Sequence, residues 1–144
     1  MAFVALLVAT RARAGEPVEK APIAVVVGTA SEVKDVTLDT LRELFLRRRR
    51  VWPNGRRVIP VNLPADDPVR KRFSKRVLGR LPEDLVGYWN RRYFEGVQPP
   101  LVLQTPQAVC AYVAVEPDAI GYVPRAEVKA DACRVVFLLP GEDG

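Results

Sequence analysis

IAVVVG, residues 23–28, is a run of five apolar residues, four of them β-branched, closed by a glycine. β-Branched side chains favour extended backbone. An unbroken apolar run, as opposed to an alternating one, fits a strand covered on both faces, as in a parallel sheet. Downstream the apolar residues change to helical spacing. Thr37 stands as an N-cap before Leu38, Leu41, Leu44 and Phe45, and the basic stretch Arg47–Arg50 falls where cations suit a helix C-terminus. Pro53-Asn54-Gly55 marks a turn, and Val58–Val61 a second strand that Pro60 pushes toward an edge or a strand end.

The same alternation continues. Asp67-Pro68 is a cap followed by proline at the first helical position. Val69, Phe73 and Val77 form the buried face of that helix, and Gly79 closes it. Pro82-Glu83-Asp84 opens a further helix with an apolar face of Leu85, Val86, Trp89 and Tyr93, with or without Phe94, which places Trp89 in the core. Gly96–Pro100 breaks it. Thr105-Pro106 starts a last helix that buries Val109, Tyr112 and Val113. Ala119–Val123 and Arg134–Leu139 read as third and fourth strands. Strands alternating with helices of this length predict a layered α/β domain with a mostly parallel sheet flanked by helices.

Residues 1–14 read as a signal peptide. Ala2–Ala9 is an eight-residue apolar run, well short of the roughly 20 needed to span a bilayer, and Ala12-Arg13-Ala14 is a small-x-small cleavage site. No Lys or Arg precedes the run, so either the true start lies upstream or the run is a buried N-terminal strand. On the first reading residues 15–22 are a linker, residues 23–144 a single domain, and the location periplasmic or otherwise exported, with no transmembrane span.

Within residues 42–92 there are fifteen Lys and Arg against five Asp and Glu, in a chain of net charge +5. This basic middle is either solvated helix faces or a surface for an anionic partner. Cys110 and Cys133 are either a disulfide or two buried thiols. The chain contains no histidine, which removes the commonest general base and metal ligand. Two cysteines without a CxxC pair offer no zinc site. Asp66 and Asp67 are neighbours at a helix start and read as capping groups, not an acid–base pair. The expectation is no enzyme, no cofactor and no metal. The helix at 69–78 has no aromatic interleaving, so nucleic acid is not an expected partner.

Several stretches in fixed order resemble the substrate-binding proteins of phosphate ABC transporters: IAVVVG (23–28), TLDTLRELFLRRRRVWPNGRRVIPVN (37–62), VRKRFSKRVLG (69–79), YWNRRYFEGVQPP (88–100) and DAIGYVP (118–124). The resemblance runs over about residues 23–139. It implies one lobe of a type II periplasmic-binding-protein-like fold, a non-enzymatic solute-binding role, and phosphate or another small anion, an envelope protein or an ABC permease as partner. Full-length members of that family have two lobes that close on phosphate, one of which supplies an Arg-x-Asp-x-Ser-Gly-Thr stretch. The corresponding stretch here is Asn62-Leu63-Pro64-Ala65-Asp66-Asp67-Pro68-Val69, without the arginine or the Ser-Gly-Thr. A helix N-terminus binds phosphate through free N–H groups. Here Asp67 is expected to occupy those donors, Asp66 to add a second negative charge, and Pro68 to remove a donor.

Open α/β sheets take ligands at the C-terminal ends of their strands. That nominates Thr29, Ser31 and Asn62 as ligand-binding residues of a degenerate solute site. The alternative is an adaptor that has lost its ligand and contacts a protein through Arg47, Arg48, Arg49, Arg50 and Trp52, since Arg and Trp are frequent interface anchors. Trp52 is either exposed at its corner or packed against the sheet.

Overall fold

The computed structural model describes residues 20–142. Five strands, β1 (Ile23–Gly28), β2 (Ile59–Asn62), β3 (Leu101–Val102), β4 (Ala119–Pro124) and β5 (Cys133–Leu139), form one sheet in the order β3-β2-β4-β1-β5. Four α-helices flank it: α1 (Leu38–Phe45), α2 (Pro68–Phe73), α3 (Val86–Phe94) and α4 (Pro106–Val115).

β2 pairs parallel with β3 and with β4, whereas β1 pairs antiparallel with both β4 and β5. Four strands therefore run one way, as a mostly parallel sheet requires. The strand that suggested it, β1, runs against the other four. All six residues of β1 are buried. A continuous apolar run reports coverage on both faces and carries no information on the direction of the neighbours. β3 has two residues, too few for a sequence pattern.

Of the four helix starts read from the sequence, three carry the expected side-chain cap. The Thr37 hydroxyl accepts from the Thr40 N–H at 3.1 Å, Asp67 from Val69 at 2.8 Å, and Thr105 from Ala108 at 3.0 Å. Each satisfies a donor that the first helical turn leaves without a partner. α2 runs on into a π-helical turn, Ser74–Leu78, closed by Gly79 at φ 80°. α4 lies close on β1 and β4 because two glycines admit it. A Cβ on Gly28 would run into the Val113 carbonyl, and one on Gly121 would stand 2.6 Å from Val109 Cγ1.

Phe45, Phe73 and Tyr122 make an aromatic cluster in the core, with the Phe73 and Tyr122 rings stacked at 3.8 Å and Phe45 edge-on to Phe73 at 5.0 Å. Such pairs add about 0.5–1.5 kcal/mol each beyond their area burial.

α3 corrects an expectation. Its first turn is a 3₁₀ segment, Pro82–Leu85, and only there, at Pro82 and Leu85, does the apolar side reach the core. No residue of Val86–Phe94 is buried. Val86 and Tyr93 are exposed, Phe94 is 88% exposed, and Trp89 is half-buried outside the core. The amphipathic pattern is real, but no element of the sheet lies over that face. The helix is tied down by polar contacts instead: the Tyr88 hydroxyl donates to the Leu46 carbonyl at 2.6 Å and Arg92 Nη2 to the Arg47 carbonyl at 2.7 Å.

Candidate functional site

Reversal of β1 separates the nominated ligand residues. The C-terminal end of β1 lies beside the N-terminal ends of β2 and β4, while Asn62, at the C-terminal end of β2, lies at the level of Tyr122 on β4. Thr29 and Ser31 therefore sit at one end of the sheet and Asn62 at the other.

At the Asn62 end the polar groups are engaged with one another. The buried Tyr122 hydroxyl donates to Asn62 Oδ1 at 2.8 Å and accepts from the Leu63 N–H at 3.3 Å. Burial pushes the Tyr122 phenol well above its ordinary pKa, against the smaller opposing effects of Arg70 and the Leu63 hydrogen bond. Arg70 Nη1 donates to the Leu63 carbonyl at 2.7 Å. The Asp67 N–H donates to the Pro64 carbonyl at 3.0 Å, the Asp67 carboxylate takes the Val69 N–H, and Pro68 has none to offer.

At the opposite end the chain leaves open space. Residues 29–36 leave β1 without regular structure. Thr29 is exposed, whereas Ser31 is buried, with its N–H donating to the Gly28 carbonyl at 3.0 Å and its hydroxyl accepting from the Val33 N–H at 3.1 Å. Facing this loop is the corner 52–56. The Gly55 N–H donates to the Trp52 carbonyl and the Trp52 N–H to the Arg56 carbonyl, both at 2.8 Å, with Gly55 at φ 88°, a backbone region that suits glycine. Trp52 is 6% exposed, and its indole N–H donates to the Asp118 carbonyl at 3.0 Å. It is a wall of the core at that corner and not an exposed anchor. The Arg56 guanidinium Nε donates to both Asp118 carboxylate oxygens at 2.8 and 3.0 Å, which raises the Arg56 pKa. Asn54 Nδ2 donates to Glu32 Oε1 at 3.2 Å.

Loop, corner and the Asp118 turn border a half-open cavity of about 670 Å³, lined by Ser31 and Trp52 among them and also by Thr40 and Arg49. That volume is in the range of small-molecule sites. Three acidic side chains (Glu32, Asp35, Asp118) and three basic ones (Lys34, Arg49, Arg56) border it, so it presents both signs of charge to a polar solute. Of these lining residues the sequence nominates Ser31 as a ligand residue, and Arg49 and Trp52 only as contacts of a protein partner. Sequence reading missed Glu32, Asn54, Arg56 and Asp118, because Arg56 and Asp118 meet across 62 positions and no local pattern joins them.

The arginine stretch divides. Arg48, Arg49 and Arg50 are exposed. Arg47 holds φ 61°, ends α1, and donates to the carbonyls of Val58 at 3.2 Å and Gln98 at 3.3 Å. Burial lowers its pKa, and the neighbouring charges of Arg50, Arg92 and Arg57 lower it further. Cys110 on α4 and Cys133 at the start of β5 are both buried, with sulfurs 2.9 Å apart.

No protein-family model matches the chain, and no curated protein sequence does. Its fold is similar to that of a putative phosphate ABC transporter substrate-binding protein with bound phosphate from Clostridium perfringens, with a TM-score of 0.66 at 21% identity over 90% of this chain and 51% of that one. It is similar also to an ABC-type phosphate transport receptor from Vibrio cholerae, with a TM-score of 0.62 at 16% identity over 81% of this chain and 46% of that one. PstS from Borrelia burgdorferi matches with a TM-score of 0.57 at 11% identity, over 83% and 47%. The chain spans about half the length of these structures, and its fold is that of about half of a phosphate-receptor chain.

Proposed function

We propose that this chain is an exported, non-catalytic binding lobe of the solute-receptor type that takes a small polar solute in the cavity between Ser31, Arg49, Trp52 and Asp118 and does not grip phosphate at Asn62–Pro68. One observation carries this reading. The Asp67 carboxylate accepts from the Val69 N–H, one of the helix-start donors that an anion would need. A phosphate dianion brought there meets two carboxylates, Asp66 and Asp67, and a proline in place of a donor. The absence of histidine from the sequence supports a binding role over a catalytic one. Export rests on residues 1–14, which lie outside the described residues. Among the described residues no helix is long and apolar enough to cross a membrane.

The test is calorimetry of the purified chain from residue 15 onward, with phosphate, sulfate, and a panel of amino acids and small carboxylates. Saturable binding of a panel member, lost in Arg49→Ala, supports the reading. One-site phosphate binding that survives moderate salt and is unchanged by Arg49→Ala contradicts it.

A second reading has its own observation in the exposed Arg48–Arg50 stretch beside Arg47, Arg57 and Arg92. Clustered guanidiniums favour an acidic partner surface, such as an envelope protein or an ABC permease. Association with an acidic protein that weakens steeply with salt, together with silence across the solute panel, selects this adaptor role.

A further inference from the structure

We propose that Cys110 and Cys133 are a disulfide site, and that on oxidation during folding they staple helix α4 to the edge strand β5. The geometry carries the inference. The two residues are 23 positions apart, yet their sulfurs lie 2.9 Å from each other between facing elements. Both are in the hydrophobic core, and both thiols point at backbone carbonyls, Cys110 at that of Glu127 and Cys133 at that of Lys129. β5 is the last strand of the sheet and pairs with β1 on one side only. A covalent link from its first residue to α4 holds that edge in place.

The oxidant is a donor disulfide, RS–SR. One cysteine loses its proton and its thiolate attacks a donor sulfur, breaking the donor S–S bond. The released RS⁻ takes up a proton, leaving a protein–donor mixed disulfide. The second cysteine then loses its proton and attacks the protein sulfur of that mixed disulfide. The protein S–S bond forms, and the second RS⁻ leaves and is protonated. Two protein thiols are oxidised by two electrons, and one donor disulfide is reduced to two thiols. Exchange needs the thiolate. In the folded chain burial and the neighbouring Cys133 thiol push Cys110 up to about 12, so the bond is made while the chain folds and the core then closes over it.

The test uses the full chain, unfolded and reduced, then refolded in a mixture of oxidised and reduced glutathione. It is afterwards denatured in the presence of an alkylating agent and weighed intact. The expected product is lighter than the reduced chain by two hydrogen atoms and carries no alkyl group. Its melting temperature lies roughly 10 °C above that of the chain refolded with reductant, the order expected for a loop of this length. The Cys110→Ala/Cys133→Ala double variant melts at one temperature with or without reductant. Two alkyl groups on the refolded wild type overturn the proposal. So does an oxidised chain that melts no higher than the reduced one, because the bond then staples nothing.

Discussion

The two ends of the sheet use similar chemistry to opposite effect. At the β2 C-terminal end, Asn62, Tyr122, Asp67 and Arg70 direct their hydrogen bonds inward, to one another and to nearby backbone. At the other end Trp52, Arg56 and Asp118 are also joined to each other, but they meet as the rim of a space that the loop 29–36 does not fill. A ligand needs groups that are held in place and yet turned outward. The difference lies in the chain that caps each end. Five residues separate β2 from α2, and Asp67 and Pro68 seal the helix start. Nine separate β1 from α1; they are tied to β5 by the Val36 N–H on the Val136 carbonyl and still leave the cavity beside them.

The largest expected effects test whether both ends are built on an equally firm floor. Phe73→Ala, beneath the Asn62 end, and Trp52→Ala, at the cavity corner, should each cost about 3–5 kcal/mol in denaturant unfolding. A much milder Trp52→Ala would mean that the cavity corner is loose surface and not a preformed wall. Next comes Tyr122→Phe, which leaves Asn62 Oδ1 and the Leu63 N–H buried and without their hydroxyl partner, at a cost of about 1–3 kcal/mol.

The same variant should change the alkaline limb of the stability curve. The folded Tyr122 phenol holds its proton above the ordinary value of 10.0. The unfolded chain therefore releases that proton first, and stability, full at lower pH, falls as pH rises past 10. Tyr122→Phe should flatten that fall. In the reduced protein the Cys110 thiol adds a decline of the same sign, from its ordinary 9.0 toward about 12.

Asp67→Ala should cost about 1 kcal/mol through loss of the cap. It also frees the Val69 N–H, so a gain of weak phosphate binding in this variant and not in the wild type sharpens the contrast between the ends. Smallest is Arg56→Ala. The guanidinium is exposed, so the melting temperature should barely move, whereas binding of the solute in the cavity should weaken.

How far this was legible in the sequence follows from the range of each signal. Helix starts are local, and Thr37, Asp67 and Thr105 were readable because cap and capped N–H lie two or three residues apart. The buried faces of α1 and α2 follow from spacing alone, except for Leu38, which is exposed at the start of α1. The direction of β1 was not readable, since apolar content reports coverage and not orientation. For that reason the sequence groups Thr29 and Ser31 with Asn62, although they lie at opposite ends of the sheet. The same limit applies to α3. Its apolar residues sit at helical spacing, but whether anything covers Trp89, Tyr93 and Phe94 depends on elements far away in sequence. The cavity lies furthest from sequence reading, because its rim is assembled from four separate stretches of chain.

We propose that the Asn62–Pro68 end is closed to anions by its own carboxylate. The direct measurement is an amide NMR titration of the wild-type chain with phosphate at moderate salt, followed at Asp66, Asp67, Val69 and Arg70 and at residues 29–36. The Asp66–Arg70 amides are expected to stay where they are through the titration. A saturable shift of the Val69 amide, with its neighbours following the same curve, would contradict it.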